Sequence, residues 1–326
     1  MKAVIDDKIP YIRGQIEQLV DTVVYMPGRD ITAEAVRDAD ILIVRTRTRC
    51  DRRLLQGSGV RLIVTATIGY DHIDTAYCRA SGISWTNCPG CNAPSVCRYV
   101  MNALSATHRL SAGLTIGIVG VGHVGTLVAQ AALGHGLHTL LCDPPRRDRG
   151  DTVDDHEWVD IERIAAEADI ITFHTPLTTQ PPYPTHHLAD SHFFHSLQRH
   201  PLIINASRGP VVDNTALLNA LDSNLVADAV IDTWEGEPDH LNLDLLKRAG
   251  IGTPHIAGYS ANGKANATRM SLVAVANFMG VSFTPCISLP QAERLTVQTL
   301  MADSDSLKQC PQAFESLREH YPVRVE

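Results

Sequence analysis

Short runs of β-branched and aliphatic residues recur through the first third of the chain: Lys2 to Ile5, Thr22 to Tyr25, Ile41 to Val44, Leu62 to Ala66 and Ile83 to Trp85, with helix-like segments between them. Strands at this spacing leave room for crossovers and predict a parallel sheet. A helical pattern follows near Ala93 to Leu110. A second alternating series then runs through Leu114 to Val119, His138 to Cys142, Ile170 to Phe173, Leu202 to Asn205 and Val226 to Ile231. The second series reads as a doubly wound nucleotide-binding pattern. A last helix, Ala261 to Met279, is placed to return the chain to the first domain. Beyond Pro285 strong periodicity is lost.

At 326 residues the chain exceeds one ordinary core, so two domains with a cleft between them are expected. Hydrophobic residues make up 44% and charged residues 20%, close to globular averages, and no window has the unbroken apolar run of a membrane span. The N-terminus lacks the apolar stretch of a secretory signal, which points to the cytoplasm. Eight cysteines scattered through a chain of this length read as free thiols. The net charge of -8 gives no general attraction for nucleic acid or anionic lipid, so an anionic ligand requires a local basic site.

One glycine motif carries cofactor chemistry. Gly120-Val121-Gly122-His123-Val124-Gly125 follows the Leu114 to Val119 run and precedes a helical pattern. The first glycine permits the tight turn, the second lets a pyrophosphate approach the backbone, and the third lets helix and strand pack closely. A helix N-terminus there offers free N–H groups to phosphates. Asp143 ends the next strand candidate at about the ~20-residue offset of a ribose-binding acid. Its carboxylate would accept from a ribose 2′-hydroxyl and repel a 2′-phosphate, favouring NAD over NADP. Two alternatives stand beside this: Asp143 capping the Asp143-Pro144-Pro145 turn, and acceptance of NADP by Arg146 and Arg147.

Three later segments are Asn205-Ala206-Ser207-Arg208-Gly209, Asp232-Thr233-Trp234-Glu235-Gly236-Glu237-Pro238 and Thr253-Pro254-His255-Ile256-Ala257-Gly258. Their order and spacing resemble the arginine, glutamate and histidine triad of the D-isomer-specific 2-hydroxyacid dehydrogenases. That resemblance implies two Rossmann or flavodoxin-like domains and oxidation of a 2-hydroxy acid with NAD. His255 is the implied base for the hydroxyl proton, Glu237 the carboxylate that fixes its tautomer, and Arg208 the guanidinium that clamps the substrate carboxylate. By the same match Thr175, Asp232 and Gly258 contact NAD.

The similarity is closest to the branch of that family that acts on 4-phospho-D-erythronate. Tyr25-Met26-Pro27-Gly28-Arg29, Thr65 to His72, Pro89-Gly90-Cys91-Asn92-Ala93 and His255-Ile256-Ala257-Gly258-Tyr259 carry it. It implies conversion of that acid to (R)-3-hydroxy-2-oxo-4-phosphooxybutanoate, in pyridoxal 5'-phosphate synthesis, by a homodimer. Thr46, Thr67, Gly69 and Tyr259 are the implied substrate contacts. Arg45, Arg47 and Arg49 alternate, so an extended segment would set them on one side to meet a phosphate; Arg45 is the stronger candidate by position. Cys88-Pro89-Gly90-Cys91 superficially suggests a redox or metal pair, but no second pair stands at zinc-like spacing, and no metal is expected. Arg98 and Asn266 depart from the branch's pattern.

The domains expected are 1–94 for substrate, 95–258 for NAD, 259–285 as the return helix and 286–326 as a shortened C-terminal dimerisation segment. Two other readings remain. One is a dehydrogenase of phosphoglycerate or glycerate type. The other is a non-catalytic module that senses NAD.

Overall fold

The computed structural model describes residues 1–153 and 157–326, which form two compact units. Unit one comprises residues 1–92 and 260–292. Its five strands are β1 (Lys2–Asp6), β2 (Thr22–Met26), β3 (Ile41–Val44), β4 (Leu62–Thr65) and β5 (Ser84–Thr86). All neighbours pair in parallel, in the order β2-β1-β3-β4-β5. Ile41–Val44 and Leu62–Thr65 are buried at every position, because both faces of a parallel sheet are covered. On one face Ile5, Ile43 and Val64 share a core with Leu272, Val275 and Ala276 of helix Ala261–Met279. Ser260 caps that helix by accepting from the Gly263 N–H at 2.9 Å, and Gly280 ends it in the left-handed region. On the other face Val4, Leu42 and Ile63 pack with Val36, Leu54 and Ile73.

Unit two comprises residues 93–259 and 293–324. Its strands are β6 (Thr115–Val119), β7 (His138–Cys142), β8 (Ile170–Phe173), β9 (Leu202–Asn205), β10 (Asp228–Ile231) and β11 (Ile251–Gly252), again all parallel. The order is β11-β10-β9-β8-β6-β7, and a single parallel bridge between Leu141 and Trp158 extends it beyond β7. With that bridge as a vestigial third strand, the sheet follows the dinucleotide-binding order with one strand added past β10. The two-residue β11 carries too short an apolar run to be visible as a strand in the sequence.

The segment after residue 292 belongs to unit two, where it forms helices Val297–Gln309 and Phe314–Glu319. Their apolar positions are few, but Leu300, Leu307 and Phe314 are all fully buried in the cores on the two faces of the sheet. The Ser304 hydroxyl accepts from the Gly252 N–H at 3.0 Å, and Lys308 Nζ donates to the Gly250 carbonyl at 3.0 Å. Helix Val297–Gln309 therefore fastens to the β11 edge.

Among the described residues no helix is long and apolar enough to cross a membrane. The eight cysteines are thiols. Burial pushes the Cys88 thiol up to about 11, and it donates to the Ala267 carbonyl at 3.2 Å, so this sulfur is a packing element.

Candidate active site

The strand order of unit two lines up the loops that carry the chemistry. Along the carboxyl ends of neighbouring strands stand the loops after β11 (His255), β10 (Asp232 and Glu237), β9 (Arg208), β8 (Thr175) and β6 (the glycine loop). The catalytic candidates thus occupy one side of the sheet's end and the cofactor candidates the other.

On the cofactor side, Gly120 has φ +90, and a Cβ there would lie 2.8 Å from the His174 backbone. A Cβ on Gly125 would collide with the Gly120 carbonyl, so helix His123–Gly134 can pack against the loop only without one. Gly122, its N-cap, has open space where a side chain would be. That is the form a backbone needs for close approach to phosphate. Thr175 presents a buried hydroxyl with no hydrogen-bond partner, a polar atom that a ligand would satisfy. His174 is different: burial pushes it down to about 3, and its Nε2 meets the Thr172 hydroxyl at 3.0 Å, so it is neutral and unsuited to be a base.

Asp143 does cap its turn, accepting from the Arg146 N–H at 3.1 Å, but its other oxygen accepts from the Val121 N–H at 2.8 Å. The carboxylate is thereby fixed against the glycine loop, with lone pairs left for a ribose diol. Arg146 donates to the Val121 carbonyl at 2.6 Å and pairs with Asp151, while Arg147 pairs with Asp148 and Asp160. Both arginines are already answered, which disfavours their service to a 2′-phosphate.

On the catalytic side His255 Nδ1 and Glu237 Oε1 form a short hydrogen bond. Glu237 Oε2 accepts from the Trp234 N–H at 2.9 Å. Burial pushes the Glu237 carboxyl up, but the His255 charge and hydrogen bond, the Trp234 amide and the Arg318 charge outweigh it and hold it below the usual range. His255 itself has φ 56, a conformation that costs a non-glycine residue about 1 kcal/mol or more. Asp232 supplies the bracing. Buried to 1% exposure, it accepts from the Thr253 hydroxyl (2.7 Å), the Ile256 N–H (2.8 Å) and the Ala257 N–H (2.9 Å). Both its oxygens are thus tied into the His255 loop, a role that its assignment to NAD did not anticipate. Arg208 leads out of β9 on a loop knitted by buried Asn205, which donates to the Arg208 carbonyl at 3.0 Å and accepts from Ser207. Gly258 and Tyr259 follow His255 directly, and the Tyr259 ring meets Tyr321 edge-on at 6.1 Å.

In unit one the loop after β4 holds Thr67 and Gly69. The Thr67 hydroxyl donates to the Gly69 carbonyl at 2.9 Å and lies 2.7 Å from the Thr65 hydroxyl, which in turn meets His72 Nε2 at 3.0 Å. Thr65 and His72 thereby extend the hydrogen-bonded chain that positions Thr67. The loop after β3 carries exposed Thr46 and departs from the extended segment expected there. Residues 45–49 turn, with the Thr48 N–H donating to the Arg45 carbonyl at 3.3 Å, so the three arginines do not share one side of an extended segment. Arg45 turns to fully buried Asp6 through two bonds of 3.1 and 3.2 Å, while Arg49 pairs with Asp51. The buried carboxylate, invisible as a partner at a separation of 39 residues, takes two of the five N–H donors of Arg45. Asn266 donates to the Cys91 carbonyl at 3.2 Å, and the Arg98 Nε is buried without a partner.

Residues 99–257 match the family model for the NAD binding domain of D-isomer specific 2-hydroxyacid dehydrogenases. The whole chain is 52% identical, over 342 aligned residues, to an erythronate-4-phosphate dehydrogenase of Bacteroides fragilis, covering 97% of it. The chain belongs to the erythronate-4-phosphate dehydrogenase family. With the Klebsiella pneumoniae member the identity is 42%, and 99% of this chain covers 86% of that one. Among solved structures, the fold is shared with a glyoxylate reductase from Paecilomyes thermophila (TM-score 0.73, 22% identity, 87% of this chain and 97% of that one). It is also shared with a D-lactate dehydrogenase from Aquifex aeolicus complexed with NAD and lactic acid (TM-score 0.68, 22% identity, 86% and 96%). The family is NAD-dependent, and the glycine loop, Thr175 and Asp143 of this chain fit that cofactor.

Proposed function

We propose that this protein oxidises the 2-hydroxyl of 4-phospho-D-erythronate to give (R)-3-hydroxy-2-oxo-4-phosphooxybutanoate. The reading makes it an NAD-dependent dehydrogenase in the cytoplasm, working as a homodimer in pyridoxal 5'-phosphate synthesis. The observation that carries it is the Glu237–His255 dyad, braced by Asp232, in a chain 52% identical to an erythronate-4-phosphate dehydrogenase along its full length.

His255 Nε2 takes the proton of the 2-hydroxyl, because Nδ1 is committed to Glu237. As the imidazole becomes imidazolium, the Glu237 carboxylate stabilises the new charge, and its depressed pKa keeps it ionised for that purpose. Arg208 clamps the substrate carboxylate with its planar fork. A bound NAD would supply the acceptor for the hydride from C2. The N-terminus of helix His123–Gly134 and Asp143 would hold its pyrophosphate and ribose, with Thr175, Asp232 and Gly258 as further contacts. Substrate contacts are assigned to Thr46, Thr67, Gly69 and Tyr259.

The test is NADH formation, bound or released, with a panel of phosphorylated and unphosphorylated 2-hydroxy acids and with NADP as alternative oxidant. The highest kcat/KM is expected for 4-phospho-D-erythronate with NAD. A higher value for glycerate or phosphoglycerate would reassign the substrate, NAD binding without turnover of any acid would make the protein a sensor, and equal use of NADP would remove the role of Asp143.

A further inference from the structure

Near the dyad lies a guanidinium that no carboxylate contacts directly among the described residues. Arg318 stands on helix Phe314–Glu319, with its Cζ 5.8 Å from the centroid of the Tyr259 ring. Tyr259 follows His255 by four residues, in the same loop. The Arg318 Nε is buried without a hydrogen-bond partner, and among the described residues no Asp or Glu forms an ion pair with it. Its charge is nevertheless felt at Glu237, whose carboxyl it helps to hold down after the larger effects of burial and His255.

A cation partly withdrawn from water, with a buried N–H unsatisfied and no carboxylate in direct contact, gains when an anion docks. The substrate of the proposed reaction carries two anionic groups. Arg208, on the loop after β9, serves the carboxylate beside the reacting carbon, which leaves the phosphate without a partner. Arg45 is engaged by Asp6 through two hydrogen bonds. A hollow of about 370 Å³ lined by Arg29, Arg47, Arg49 and Arg53 is the rival site, but these side chains are solvent-exposed and Arg49 is already paired with Asp51. Exposed arginines lose little by remaining hydrated.

We propose that Arg318, carried by the C-terminal segment, receives the substrate's phosphate and sets the preference for phosphorylated over unphosphorylated 2-hydroxy acids. The proposal rests on the function assigned above. The Tyr259 ring, with Tyr321 edge-on to it, backs the guanidinium and limits the positions its fork can take. The C-terminal segment then supplies recognition as well as packing.

The test compares the unmodified enzyme with Arg318→Ala, Arg318→Gln, Arg318→Lys and an Arg47→Ala/Arg49→Ala double variant, on 4-phospho-D-erythronate and on D-erythronate. Thermal melts identify the variants that fold, and Gln and Lys keep the test open if Ala does not. Loss of one charge-assisted contact lowers kcat/KM on the phosphorylated acid on the order of 10- to 100-fold. The expected loss on D-erythronate is below about threefold, with Lys retaining part of the preference. Equal losses on the two acids, or a preference that vanishes only in the Arg47/Arg49 variant, would overturn the assignment to Arg318. If the unmodified enzyme turns over D-erythronate but no phosphorylated acid, the substrate reading beneath the proposal fails instead.

Discussion

Phe314→Ala tests whether the C-terminal segment is an integral part of the nucleotide-binding unit. Phe314 is 1% exposed, in a core that also contains Leu307, Leu245 and Trp234. Withdrawing a ring of this size from water is worth roughly 2–3 kcal/mol, and the cavity left in a close-packed core adds to the loss. The sum expected for a buried Phe→Ala change is about 3–5 kcal/mol. The unfolding of unit two is to be followed in urea, with NAD added in a parallel series to mark the transition that belongs to this unit. The midpoint should fall without a change in slope. A loss below about 1 kcal/mol would refute the reasoning, because it would mean that Phe314 is not packed in solution and that helix Phe314–Glu319 is a loose tail.

Three other outcomes are expected. His255→Ala should cut kcat by roughly 10²–10⁴ while NAD affinity, measured by calorimetry, stays within about threefold; near-native turnover would require another base. For Glu237, whose carboxyl is held below the 4.5 of an unperturbed group, the contribution to stability is fully present above that value and is lost as pH falls through the lower folded value. Acid titrations of the native protein and Glu237→Gln should therefore differ in slope only in that acidic window, and parallel curves would contradict the pairing with His255. Arg45→Ala leaves Asp6 buried and uncompensated, at a cost of about 2–4 kcal/mol, and Asp6→Asn in the same chain should restore part of it; an unchanged melting temperature would show the pair to be idle.

The sheet strands were legible because a parallel strand buried on both faces must be apolar throughout, as Ile41–Val44 and Leu202–Asn205 are except at Asn205. The glycine loop was legible because one of its steric demands is local: a Cβ on Gly125 would collide with the Gly120 carbonyl of the same loop, although the demand at Gly120 comes from the distant His174 backbone. Contacts made across long sequence separations were not. The Asp6–Arg45 pair, the Asp232 brace and the docking of Leu300, Leu307 and Phe314 depend on partners that only the folded chain brings near. The short C-terminal helices gave no pattern because three anchors spread over fifteen positions are too few to set a period.

The division of the chain has a consequence for its synthesis. Unit one begins with residues 1–92 but is completed by residues 260–292, which emerge only after almost all of unit two has been made. During that interval one face of the first sheet, with Ile5, Ile43 and Val64, lacks the side chains of Leu272, Val275 and Ala276. Nascent chains would therefore carry an uncovered apolar face for the time needed to add about 180 residues, roughly 10–40 s at ordinary elongation rates. The nucleotide-binding sheet meets the same situation in milder form, since its β11 edge waits for helix Val297–Gln309. Chaperone demand during translation, more than the stability of the finished protein, is thus where this interleaved order of segments should be felt.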